Sequence, residues 1–347
     1  MDGQRELRGP GPLLTPAGEL ADLGWARQPL LDCNLEAVNI AGTPRFWQPM
    51  RLKVWDYYAV TTPTHFFAFT ISDVGYLASI FAYGIEFASG ICHETTLTIP
   101  LAKGVSLPRN STSGVSLYDN GKVRLRFTVE EGARRIEVEW PNFSRDVPLR
   151  ADFRLAQPPE HESMVIVIPI AGRRFYYNRK INCMPASGWV EYMGQRCELD
   201  PATCLGNLDW GRGVWEYNSF WVWASASGFL PDRRRIGLNL GFGFGDTSAA
   251  TENAIILDGV IHKLGKVDFA YSNQNFKAPW RMTSPDQRLD LTFTPFLERL
   301  AKTDALILSS EVHQMFGRYS GQVVTDQGET IQIHDLTGFA EEHHARW

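Results

Sequence analysis

The chain has 347 residues and a formal net charge of −5 at pH 7, with 44% hydrophobic, 21% charged and 12% aromatic residues. That length buries a substantial core, as one large domain or as two of ordinary size, and the composition is that of a soluble globular protein. An acidic balance without a basic block argues against nucleic acid as a partner. No run of eighteen apolar residues occurs, so no spanning helix is expected. Residues 1–20 lack the apolar centre of a secretory signal, which predicts a cytoplasmic protein. The five cysteines are odd in number and show no CxxC or Cys/His spacing. They are expected to be reduced, buried thiols rather than a disulfide framework or a zinc site.

Taken in order, residues 1–30 carry Pro10, Pro12, Pro16 and Pro29 among glycines, which predicts an extended lead-in. Short apolar or alternating runs follow at 51–60, 65–74, 76–87, 95–100, 123–130, 134–141 and 151–158, rich in β-branched and aromatic residues. Such spacing predicts an antiparallel all-β domain. In 134–141, Ile136, Val138 and Trp140 alternate with Arg135, Glu137 and Glu139, the pattern of a strand with one wet face. The run 76–87 is apolar on both faces, and its periodicity fits a buried strand or a short helix. The proline- and acid-rich 157–162 marks a boundary between a first unit, 31–160, and a second, 161–347. Short strand patterns resume at 164–170, 174–193, 266–271, 289–300, 305–326 and 329–339, and only the closing EEHHARW reads as helical. The expectation is two β-barrels or barrel-like sandwiches in tandem.

The densest chemistry lies between Leu205 and Lys263. NSFWVWASAS and RRIGLNLGFGFG read as a hairpin around GFLPDRRR, with Pro231 and Asp232 in the turn. In the second strand Gly237, Asn239, Gly241, Gly243 and Gly245 share a face, so something must approach that backbone closely. Either Trp221 and Trp223 of the partner strand lie over it, or it opens space inside a barrel for a ligand. NLDWGRGVWEY places Asp209, Arg212 and Glu216 among Trp210, Trp215 and Tyr217. A carboxyl desolvated by such rings has a raised pKa, the setting of a general acid, unless Arg212 pairs with it and braces a turn. Asp246 is a candidate cap, Glu252 and Asn253 precede an apolar run and are assigned to the same cavity, and His262 is either a pocket or a hydrogen-bonded structural residue. In 174–183, Tyr176, Asn178, Lys180 and Asn182 fall on one strand face and Tyr177, Arg179, Ile181 and Cys183 on the other. The polar face is a wet pocket wall or plain surface, and Tyr177, Asn178 and Lys180 are carried as binding candidates. His313, His343 and His344 lack partners at metal-ligand spacing, so no metal is expected.

Long stretches of the chain, RFYYNRKINCMPASG, LDWGRGVW, LGFGFGDTSAATEN, DGVIHKL and QMFGRYSG among them, resemble the family known as domain of unknown function 2804. More distantly, LDWG before a WVW strand and the closing GRYSGQVV…IHDLTGF are similar to tandem lipocalin-like proteins such as carotenoid hydratases, tocopherol cyclase and some Diels–Alder cyclases. That resemblance implies two calycin-type barrels with a hydrophobic isoprenoid bound in one. The acidic motif there runs Asp-Arg-Glu-Trp, whereas here it is Asp209-Trp210-Gly211-Arg212, so only Asp209 carries over. Together these readings lead to the expectation of a cofactor-independent enzyme that applies acid chemistry to a hydrophobic small molecule. Asp209 or Glu216 would serve as acid, with the developing cation facing Trp210, Trp215, Trp221 or Trp223. A carrier of lipophilic molecules and a carbohydrate-binding sandwich are the alternatives.

Overall fold

A computed structural model describes residues 3–305 and 308–347 and is built almost wholly of antiparallel strands. Ten strands surround the site and are labelled here in chain order. They are β1 (Leu52–Thr61), β2 (His65–Asp73), β3 (Leu77–Glu86), β4 (Ile91–Pro100), β5 (Arg174–Tyr192), β6 (Leu205–Val214), β7 (Asn218–Phe229), β8 (Leu289–Ala305), β9 (Leu308–Val324) and β10 (Thr330–Arg346). The first sheet runs β4-β3-β2-β1-β6-β5 and continues through Val147–Ala156, Ala133–Ser144, Arg124–Glu130 and Val115–Asp119. The second places Val260–Lys263, Ala254–Leu257 and Arg235–Phe242 beside β7, then β10, β9, β8, Trp280–Thr283 and Asp268–Ala270.

Both sheets curl, so that the inward residues of every strand meet one another. The first closes far enough for His93 of β4 to meet the Ser144 hydroxyl at 3.2 Å and for the Thr95 hydroxyl to donate to the Phe143 carbonyl. Its concave side is filled by residues such as Phe69, Leu125, Phe153 and Trp210. Trp280, Phe293, Met315 and Tyr319 fill the second. Each half thus has its own packed interior, as two curled all-β units in tandem require. Hydrogen bonding passes from one sheet to the other between Val214 and Asn218, well after the proline-rich break, and β5 and β6 belong to the first sheet.

Several local expectations meet their outcome here. The ambiguous 76–87 run contains a strand, β3. The hairpin at GFLPDRRR forms between β7 and Arg235–Phe242, with Trp223 opposite Gly241 and Ser225 opposite Asn239. EEHHARW is not helical: it belongs to β10, which pairs with β7 and β9 along its length. Pairing with a strand on each side overrode its helix-favouring composition. The lead-in is held down where Gly24–Ala26 pairs with Met164–Ile170. All five cysteines are unpaired, and no helix among the described residues is long and apolar enough to cross a membrane.

Candidate functional site

The candidate pocket lies outside the two apolar interiors. A cavity of about 640 Å³ separates the convex face of β1–β6 from the face of β7–β10 turned toward it. Strand alternation decides which residues reach it. On β1, Lys53, Trp55 and Tyr57 face the cavity, whereas Asp56 and Tyr58 turn into the first barrel. On β6, Asp209 faces the cavity and Trp210 and Arg212 turn inward. Gly211 shares the face of Asp209 because Trp55 lies flat on it: a Cβ there would sit 1.9 Å from the indole Cζ2. The aromatic wall continues through Tyr176, Trp215, Trp221, Trp223, Phe244 and Trp347.

Two charged clusters interrupt this apolar lining. In the first, the Lys180 ammonium lies 3.2 Å from Asp209 and 3.6 Å from Glu252, with its Nζ 3.6 Å from the Trp223 ring centroid. The side-chain amide of Asn178 donates to Asp209 at 2.6 Å and to the Trp210 carbonyl at 2.8 Å. The Asn239 amide donates to the Glu252 carbonyl and accepts from the Trp223 indole N–H, both at 2.8 Å. The glycine face of Arg235–Phe242 is explained by what presses on it. Cys183 and Asn182 sit over Gly237 and the Glu252 carboxylate over Gly241, so that neither position has room for a Cβ.

The second cluster spans the sheets. Arg299 of β8 grips Glu94 of β4 through two bonds of 2.9 and 2.8 Å and reaches Gln314 at 3.3 Å. The Tyr83 hydroxyl donates to Gln314 at 3.0 Å and meets Tyr57 at the same distance. Gln314 in turn donates to Glu341 of β10 at 3.0 Å, and the Trp221 indole N–H approaches the other carboxyl oxygen at 3.4 Å. Burial pushes the Glu341 carboxyl up to about 7 against the opposing pull of Arg299 and Lys180. His343, two residues on, shares a 2.8 Å hydrogen bond with Ser310, and burial lowers it to about 3, so its ring is neutral.

Of the residues singled out from sequence, Asp209, Lys180, Glu252, Trp215, Trp221 and Trp223 meet at this cavity. Asn178 and Asn239 stand behind them as supports. The others do not line it. Arg212 points into the first barrel, pairing with Asp56 at 2.9 Å and stacking 4.2 Å above Trp210. Trp210 and Tyr177 belong to that interior, where the Tyr177 hydroxyl donates to the Leu31 carbonyl at 3.1 Å. Glu216 and Tyr217 are exposed in the link between the sheets, and exposed Asp246 accepts from the Ser248 amide. Asn253 is buried, holding the amide of Gly241 and the carbonyl of Gly265. His262 accepts from the Asp326 amide at 3.2 Å, away from the cavity. Asp209 sits in a regular strand, so Arg212, three positions on, falls on the opposite face, while Glu216 lies past the strand's end at Val214.

Sequence reasoning missed Glu341, Arg299, Glu94, Gln314 and Lys53. For Glu341 and His343 a signal existed, since they alternate with Glu342 and His344. Among the described residues no group of three or more His, Cys, Asp or Glu is placed to hold a metal ion.

These features define an all-β protein with two curled sheets and an aromatic, internally charged cavity between them. The chain belongs to the family described as Domain of unknown function (DUF2804), whose profile matches residues 4–347. No curated protein matches it in sequence. Among solved structures it is similar to kievitone hydratase from Nectria haematococca, at 10% identity and a TM-score of 0.49, over 85% of this chain and 88% of that one. It is also similar to a candidate AttH from Nitrosomonas europaea, at 14% identity and a TM-score of 0.46, over 84% and 92% of the two chains.

Proposed function

We propose that the protein is an enzyme that binds a hydrophobic small molecule, of isoprenoid, steroid or lipid-like character, between its sheets and acts on it by acid chemistry. Hydration, isomerisation or cyclisation of an alkene are the reactions this site suits. The observation that carries the proposal is Glu341, a carboxyl that faces an aromatic cavity and that burial raises to about 7, so that a protonated fraction persists at neutral pH. A protonated carboxyl beside a bound alkene can donate its proton, and the resulting cation would face the ring of Trp221. Asp209, held in place by Lys180 and Asn178, is the base that takes a proton from an attacking water or from the substrate. Chemistry of this kind needs no cofactor. Five unpaired thiols support a reducing, cytoplasmic setting.

A carrier would use the same pocket, and the two readings separate experimentally. Lipophilic extract incubated with the protein should yield products isomeric with, or one water heavier than, a consumed component. Glu341→Gln should retain the fold and abolish that conversion. Recovery of a stoichiometric, chemically unchanged lipid, with no conversion by the wild type, would favour the carrier.

A further inference from the structure

Among the described residues three lysines are buried, and their surroundings differ. Lys263 is saturated, donating to the Thr251 hydroxyl and to the carbonyls of Asn253 and Leu264. Lys180 has two carboxylates and an indole face. Lys53 lines the cavity at 1% exposure and makes one hydrogen bond, 2.7 Å to the Val74 carbonyl. No carboxylate lies within ion-pair distance of its Nζ among the described residues. Its Nζ stands 5.3 Å from the ring centroid of Tyr76, another residue of the lining, whose buried hydroxyl has no hydrogen-bond partner among the described residues. Burial lowers the ammonium to about 7, the nearby Arg51 cation acts in the same direction, and Asp73 opposes them. Much of Lys53 is therefore an uncharged amine at neutral pH, the form that is nucleophilic.

From this placement we propose that Lys53 captures a carbonyl-bearing hydrophobic ligand, a lipophilic aldehyde or ketone, as an imine. The inference rests on the reading of the cavity as a binding site for apolar molecules. The amine lone pair forms a bond to the carbonyl carbon, one amine proton passes to the carbonyl oxygen, and the carbinolamine then loses that hydroxyl together with the remaining nitrogen proton as water to leave the C=N bond. No oxidant or reductant enters the step.

The test uses the full chain with nonanal as probe, sodium cyanoborohydride to trap the imine as a secondary amine, and intact mass with peptide mapping as readout. Nonan-1-ol, which cannot condense, reports non-covalent occupancy through the fluorescence of the cavity tryptophans. A single adduct is expected at Lys53, forming on the order of tenfold or more faster at about pH 7 than at exposed lysines, which are almost wholly protonated there. It should be absent in Lys53→Met. The wild-type trapping rate should rise through about pH 7 and then level, a criterion that holds even if the variant folds poorly. Adducts at Lys180 or at surface lysines with Lys53 unmodified, while nonan-1-ol still perturbs the fluorescence, would overturn the imine and leave the cavity reading intact. Absence of any response to nonan-1-ol would overturn both.

Discussion

The Nζ of Lys180 stands 3.6 Å from the ring centroid of Trp223 and bridges Asp209 and Glu252 from that position. One buried cation therefore holds two carboxylates at the cavity wall, and an aromatic face supports it from beneath. Lys180→Met leaves those carboxylates facing each other with no countercharge. The variant should lose about 3 kcal/mol in urea unfolding, as expected when one partner of a buried pair is removed. Adding Asp209→Asn and Glu252→Gln should recover much of the loss. A single variant as stable as the wild type would show that Lys180 does not organise the cluster.

Glu341 gives a prediction with a definite sign. Its carboxyl titrates near 7 in the fold and near 4.5 when exposed, so the folded protein holds a proton that the unfolded chain releases. The associated stability is complete below about pH 4.5 and is lost as the pH rises to about 7. Its size is on the order of 3 kcal/mol. Glu341→Gln should match the wild type at pH 5 and unfold at higher urea at pH 8. Parallel pH profiles for the two proteins would rule out a proton on this residue.

Arg212 and Asp56 are predicted to act on stability alone. Their pair lies in the first barrel, where Arg212 also donates to the carbonyls of Trp55 and Pro108, and Asp56 accepts from the Ser116 hydroxyl. Arg212→Met should cost about 3–5 kcal/mol because it strands a buried carboxylate. At temperatures where the variant is folded, its affinity for nonan-1-ol should be unchanged. A large fall in affinity would tie this pair to the site.

Gly211→Ala tests the aromatic wall. The added methyl has to displace the Trp55 indole, which is stacked 5.9 Å from Tyr176 and edge-on to Trp215 at 4.7 Å. A cost of about 1–3 kcal/mol from overpacking is expected, with a shifted tryptophan emission spectrum. Wild-type stability and emission together would mean that the ring is not clamped on the glycine.

Much of the architecture was legible because strand alternation is local. Alternation assigns Tyr176, Asn178, Lys180 and Asn182 to one face and Tyr177, Arg179, Ile181 and Cys183 to the other, and the barrel wall divides them that way except at Cys183, which at φ 63° in a register shift after Ile181 turns with Asn182 onto Gly237. Asp209 was found for its chemistry but grouped with Arg212 and Glu216, since charges in a glycine-punctuated segment look like a loop until 205–214 is known to be a strand. The other charged corner was out of reach. Arg299, Gln314 and Glu341 are cross-strand neighbours on three consecutive strands of the second sheet, and only the approach of the first sheet brings Glu94 to them. Lys53 looks like an ordinary surface lysine in RLKVWDYY until the second sheet covers it.

The cavity's two walls are separate hydrogen-bonded sheets, joined in sequence by the short link after Val214. A guest that fills the gap would act as mortar between them, so recognition and cohesion become a single thermodynamic quantity. Melting temperature then serves as a screen that presumes no reaction: compounds that fit should raise it in proportion to the logarithm of their concentration, whatever becomes of them afterwards.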